Sequence, residues 1–416
     1  MRFHIFGLPH TITNEAFCAC AYTQKVRKFA RMMGARGHEV IHYGHPESDV
    51  PGAAECVETI SRETYDRVYG DHDYRSKFFK FSQDDDAYKE FFAKTIVEVG
   101  KRKQKGDFLL PFWGWGHKPI CDAHKDEWGT FVVEPGIGYS TGHFANYKVF
   151  ESYALFHAFN GLDASTQCNR ISWYDVVIPN YFDLNEFQHS PVKDDYLLFL
   201  GRVYEGKGVH IAIQVAEETG QRLIIAGQNT PEYLEQYGRP LPGNVECVGY
   251  ADVPTRKKLM ANAKGFWLAS QYLEPFGGTM VEAFLSGTPV ISTDWGSMTE
   301  NNLHGVTGYR CRTFEHFVWA AEHIGELKPA DCRAWGENFS LERIAPMYEE
   351  FFQMVHDQGE SRAWYHMRDR KNLDWMTREH PAELKNAFRG SSSPTEIRLA
   401  PDQTITISAQ TLTSSR

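Results

Sequence analysis

Glu274 and Glu282 stand eight positions apart around a Pro275-Phe276-Gly277-Gly278-Thr279 turn. The apolar run GFWLAS (265–270) before the turn reads as a strand, and MVEAFLSG (280–287) after it reads as a helix. A glycine turn that opens a helix offers unpaired backbone N–H groups and the positive helix end, which suits an anion such as a diphosphate. Carboxylates beside that anion do not serve the phosphates. They suit hydroxyl donors, a sugar or a ribose. Arg202 and Lys207, in the stretch Gly201-Arg202-Val203-Tyr204-Glu205-Gly206-Lys207-Gly208, follow another strand of the same half. Two cations and a helix N-terminus make a metal-free clamp for a diphosphate.

Two other glycine motifs compete with this one. Residues 201–207 fit the GxxxxGK phosphate loop, but Gly208 replaces the Ser or Thr whose hydroxyl would ligate magnesium. Gly136-Ile137-Gly138-Tyr139-Ser140-Thr141-Gly142 resembles a dinucleotide fingerprint with one extra residue. It follows a late strand, and no acidic ribose ligand stands at the expected distance. The run Asp84-Asp85-Asp86 reads as a solvated face and a helix cap rather than a metal site. The eight cysteines lack metal-like spacing, which suits reduced thiols and a cytoplasmic location.

These residues need elements to hold them. In the first half, strands are expected at 2–8, 39–44, 107–113, 130–135 and 175–180, with helices over 22–37 and 87–103 and an insertion at 58–86. A second series of strands (196–202, 222–227, 245–250, 265–270, 288–294) alternates with helices over 208–220, 254–263 and 279–286. Alternation of this kind means two parallel sheets, each covered on both faces, with a cleft between their carboxyl ends. The polar, Pro-containing stretch 188–195 is the expected linker. After 330 only helices are expected: 341–358, then an aromatic-rich stretch to about 388, then a Ser/Thr-rich disordered tail. A length of 416 residues fits two domains, and a net charge of −10 disfavours a nucleic-acid partner. No apolar run reaches the roughly 18 residues of a membrane span.

Taken in order, VIPNYFDLNEF, LFLGRVYEGKGV, IIAG, NVECVGY and EPFGGTMVEAFLSGTPVISTD, then Glu300 and Gly305–Gly308, resemble the retaining glycosyltransferases of family 4. The resemblance covers about 175–325. It implies a GT-B fold: an acceptor domain at 1–188, a nucleotide-sugar domain at 189–340, helices at 341–388 packing back toward the first domain, and a tail at 389–416. It also implies that Arg202 and Lys207 hold the donor diphosphate, that Glu282 binds the ribose, and that Glu274 lies by the donor sugar. Gly201, Phe276, Gly277, Gly278 and Thr279 would wrap the sugar and phosphates. The donor would be a UDP- or GDP-sugar, no metal or other cofactor would be obligatory, and the acceptor would be a carbohydrate, lipid-linked or small molecule.

Many family members carry a His where this chain has Glu134, so Glu134 is expected on the acceptor side as a sugar ligand or base. His10, Thr11, Trp113, His117, Gly136, Gly138 and Tyr139 are further acceptor-side candidates. Lys25, Arg27, Lys28, Arg31 and Arg36 make helix 22–37 basic, which would allow contact with the cytoplasmic face of a membrane if not merely solvated. The rival readings are a GT-B epimerase or phosphorylase and a non-catalytic nucleotide-sugar-binding protein.

Overall fold

Short apolar runs, nearly all buried on both faces, form two parallel sheets. The first contains β1 (Arg2–Phe6), β2 (Glu39–Gly44), β3 (Glu55–Glu58), β4 (Phe108–Leu110), β5 (Phe131–Ile137), β6 (Tyr147–Phe150) and β7 (Val176–Val177). Its strand order is β3-β2-β1-β4-β5-β6-β7. The second contains β8 (Leu197–Leu200), β9 (Leu223–Ala226), β10 (Val245–Gly249), β11 (Gly265–Leu268), β12 (Val290–Thr293) and β13 (Gly308–Cys311), in the order β10-β9-β8-β11-β12-β13. In this computed structural model, residues 1–124, 129–139, 142–167 and 174–361 are described. All of them belong to one compact unit, Met1–Trp375.

Parallel pairing demands crossovers, and helices supply them. The helix Ala21–Gly34 returns the chain from β1 to β2, and Val209–Thr219 does so from β8 to β9. Asp85 caps the helix Asp86–Arg102 by accepting from the Tyr88 N–H at 2.9 Å, so the Asp run acts as the expected cap. Strands β3, β6 and β13 and the helices Arg62–Tyr69 and Thr230–Tyr237 were not anticipated. These pieces are short, and β3 and Arg62–Tyr69 carry many exposed polar residues, so their pattern is weak. The expected helical stretch to 388 and the tail lie outside the described residues.

Each sheet reverses direction beside its first strand: β1 lies between β2 and β4, and β8 between β9 and β11. At such switch points the crossovers leave to opposite faces, opening a crevice beyond the carboxyl ends of the strands. Those ends carry His10 and Trp113 in the first sheet, and Arg202, Lys207 and Glu274 in the second.

The helix Leu341–Ser361 ends the described chain and packs on the first sheet. Ile344, Tyr348, Phe351, Phe352 and Val355 are buried in one core with Phe3, Phe29 and Phe108. The Phe352 ring lies 4.7 Å from Phe3 and 5.0 Å from Phe108. The chain enters this helix through a tie at Phe182, whose N–H donates to the Phe339 carbonyl at 2.8 Å.

The basic helix Ala21–Gly34 and its following turn are largely neutralised. Lys25 pairs with Glu151, Arg27 with Asp49, Lys28 with Glu186, Arg31 with Asp183, and Arg36 with Glu349. Among the described residues no helix is long and apolar enough to cross a membrane, and the seven of the eight cysteines that are described are free thiols.

Candidate active site

The two switch points face one cavity of about 350 Å³. On the side of the second sheet it is lined by Gly201, Arg202, Lys207, Glu274, Gly277, Gly278, Thr279 and Glu282, so the sequence-predicted donor residues do converge. Gly277 has φ 77° and precedes the helix Gly278–Leu285, a left-handed turn that glycine adopts without strain. The first N–H groups of a helix have no intrahelical acceptor, and here the residues at its start, Gly277, Gly278 and Thr279, line the cavity. Phe276 is the exception. It is buried 2 % exposed, against Phe182 and Phe339, and shapes the turn from behind.

Glu274 is buried and receives three donors on one oxygen. Ser270 Oγ donates to Oε1 at 2.7 Å, Tyr272 OH at 2.8 Å, and Lys207 Nζ forms a close ion pair with it. Burial pushes the carboxyl upward, but the Lys207 charge and these hydrogen bonds prevail and hold it below the usual carboxylate range. Glu282 pairs with Arg256 at 2.8 Å, and Arg256 itself lines the cavity. Arg202 lies 4.3 Å over the Phe78 ring and 5.4 Å from Tyr204. Phe78 comes from the expected insertion, which reaches across the cleft. There the Tyr74 and Ser76 carbonyls accept from the Gln228 side chain and the Asn229 N–H.

On the side of the first sheet the predicted residues divide. His10 and Trp113 line the cavity. Thr11 does not: it is buried, its hydroxyl 2.6 Å from Thr23, tying the loop to the first helix. His117 is fully buried, with Nε2 3.1 Å from the Gly7 carbonyl and Nδ1 accepting from the Trp113 N–H. Burial lowers its pKa to about 3, so it is a neutral brace between the β1 and β4 ends.

Glu134 stands behind the wall and does not line the cavity. Its carboxylate accepts from Tyr139 OH at 2.6 Å and from the Phe144 and Ala145 N–H groups at 2.9 Å. Burial raises its pKa and these donors pull it back. Glu134 therefore pins the loop after β5 instead of reaching a substrate, and Tyr139 serves it. Gly136 (φ 84°) and Gly138 lie over the buried Lys25–Glu151 pair. Lys25 Nζ donates to the Gly136 carbonyl at 2.8 Å and Tyr22 OH to that of Gly138 at 3.2 Å. Lys25 and Tyr22, not these glycines, face the cavity. Ser140 and Thr141 lie outside the described residues.

Arg256, Ser270, Tyr272, Tyr22 and Lys25 are site residues that the sequence reading missed. Ser270 and Tyr272 had a local signal, since they share the turn that presents Glu274. Arg256 and Lys25 had none, because their partners come from other elements.

Comparison with known proteins gives this geometry a lineage. Residues 182–339 match the family model of glycosyl transferases group 1. An uncharacterised glycosyltransferase of Methanocaldococcus jannaschii is 33% identical over 180 residues, covering 39% of this chain and 42% of that protein. A phosphatidyl-myo-inositol mannosyltransferase of Mycolicibacterium smegmatis is 28% identical over 181 residues, covering 41% and 47%. The match thus spans less than half the length of these curated relatives. Among solved structures, AviGT4, a glycosyltransferase involved in avilamycin A biosynthesis, superposes with a TM-score of 0.64 at 19% identity, covering 86% of this chain and 98% of that one. Anabaena HepE in complex with UDP-glucose gives 0.61 at 16% identity, covering 86% and 100%. The paired parallel sheets are the GT-B fold of these solved structures, and residues 182–339 are similar to the glycosyl transferases group 1.

Proposed function

We propose that this protein is a retaining glycosyltransferase that moves a hexose from a nucleotide diphosphate sugar to an acceptor hydroxyl. The observation that carries this reading is the convergence of Arg202, Lys207, Glu274, Glu282 and the Gly277–Gly278 helix start on one cavity. Arg202, Lys207 and the helix start hold the diphosphate, Glu282 the ribose and Glu274 the donor sugar. A glycosyl bond to a diphosphate breaks with a build-up of negative charge on the leaving oxygen. Fixed cations and N–H groups at that oxygen stabilise the transition state more than the ground state. The acceptor hydroxyl attacks the anomeric carbon from the leaving-group side, and its proton passes to the departing diphosphate oxygen. Configuration is retained without a flanking pair of carboxylates. HepE, with UDP-glucose bound, supports a nucleotide-sugar donor, a UDP- or GDP-sugar.

A panel of UDP- and GDP-sugars, followed for nucleotide release without acceptor, tests the reading. One donor is expected to be hydrolysed slowly, and EDTA is expected to leave the rate unchanged because protein groups supply the charge. Hydrolysis of none, or a donor epimerised without nucleotide release, would overturn it. Binding of a nucleotide sugar with no turnover would favour the binding-protein alternative.

A further inference from the structure

The cavity wall on the first-sheet side is aromatic. Phe79, Phe81 and Trp113 surround His10 at ring distances of 6.2, 4.8 and 5.8 Å, with Phe81 stacked on the imidazole. All four line the cavity. Behind the imidazole, the Tyr88 hydroxyl lies 2.9 Å from Nδ1.

That contact settles where the imidazole proton sits. Tyr88 is fully buried. Its phenolic proton therefore needs an acceptor, because a buried donor left unpaired keeps its full desolvation penalty. Among the described residues, His10 Nδ1 is the acceptor within reach. The Trp113 indole N–H bears on the same phenol oxygen, and an indole cannot accept. Tyr88 therefore donates to a bare Nδ1. Burial holds the ring neutral, with a pKa of about 3 despite the charge of Asp85. A neutral imidazole with a bare Nδ1 carries its hydrogen on Nε2. Among the described residues nothing bonds to Nε2, so a donor remains for a molecule in the cavity.

We propose that His10 is a fixed Nε2–H donor that holds an oxygen of an uncharged sugar acceptor, with the flat face of the sugar packed on the Phe81–Trp113 wall. Tyr88 is the positioning residue that sets the tautomer. A charged acceptor would find little countercharge here, because Lys25 and Lys28 of the neighbouring helix are paired with Glu151 and Glu186. His10 is not the base for transfer, since its cavity-facing nitrogen already carries a proton. The acceptor assignment rests on the transferase reading; the tautomer does not.

Two measurements test it. Nitrogen-15 NMR of the ligand-free protein at neutral pH should show His10 as the Nε2–H tautomer, and Tyr88→Phe should convert it to a tautomer mixture. Acceptor kinetics with a panel of methyl glycosides should separate donor from base. In His10→Gln the amide oxygen accepts from Tyr88 while the amide N–H faces the cavity, so acceptor KM should stay within about threefold of wild type. His10→Glu offers no donor, and acceptor KM should rise about tenfold. Activity retained in His10→Glu and lost in His10→Gln would overturn the proposal, as would an Nδ1–H or imidazolium signal. If both variants misfold, the NMR tautomer decides. A wild-type protein that releases no nucleotide would instead sink the transferase reading and leave the tautomer standing.

Discussion

Lys207 and Glu274 form the most consequential pair, because the proposed substrate would compete for both. Lys207→Ala leaves the buried Glu274 carboxyl without its cation, so burial should raise its pKa. A stability loss of about 1–3 kcal/mol is expected, and a smaller one in the Glu274→Gln background. Urea unfolding of the four proteins measures this. Additivity within about 0.5 kcal/mol would mean the pair does not couple. Donor turnover should vanish in Lys207→Ala. Arg256 plays a parallel part at Glu282: if that carboxylate binds the ribose as proposed, Arg256→Met frees it to turn away, and donor KM should rise about tenfold. An unchanged KM would show that Glu282 is held by the backbone alone.

The glycine turns act at the level of elements. Gly208 has φ 73°, and a Cβ there would lie 2.1 Å from the Ala269 carbonyl oxygen, where β11 ends. This explains why the phosphate-loop pattern stops short: a Ser or Thr has no room at that position. Gly277 has a similar φ, but its Cβ would meet only side-chain carbons of Leu268 and Met280, at 3.2 and 3.3 Å. Gly208→Ala should therefore cost about 2–4 kcal/mol and Gly277→Ala about 1 kcal/mol. Thermal melting of both variants checks the order, and a reversed order would contradict the clash.

Across the whole molecule, the last described helix completes the core of the first sheet. Phe352→Ala should destabilise the protein by about 3–5 kcal/mol, read as a lowered urea midpoint. A second global property is acid sensitivity. His10, His42 and His117 are buried and each held down to about 3 from 6.5. As pH falls from 6.5 toward 3, the unfolded chain binds protons at these imidazoles that the folded chain refuses. Stability is therefore fully present above 6.5 and lost below it. Glu274, held low, adds to this loss at more acid pH, whereas Glu134 and Glu300, raised by burial, oppose it. Tm at about pH 5 should be lower than at about pH 7.5, and an equal or higher value would contradict the sign.

The two sheets, and the residues that line the cavity on the side of the second sheet, were legible in the sequence alone. Strand periodicity is local, and Arg202, Lys207, Glu274, Gly277 and Glu282 each sit at a strand end or helix start that their neighbours define. Only the tertiary structure decided the other half. Glu134 looked like a substrate ligand because its strand ends at the cleft, yet three donors from its own loop turn it inward. His10 looked equivalent to Thr11 and His117, but burial, Tyr88 and an aromatic wall drawn from the distant insertion single it out. The physical reason is range. Hydrogen bonds between residues about 80 to 110 positions apart, such as His10 with Tyr88 and His117 with Gly7, leave no periodic trace along the chain.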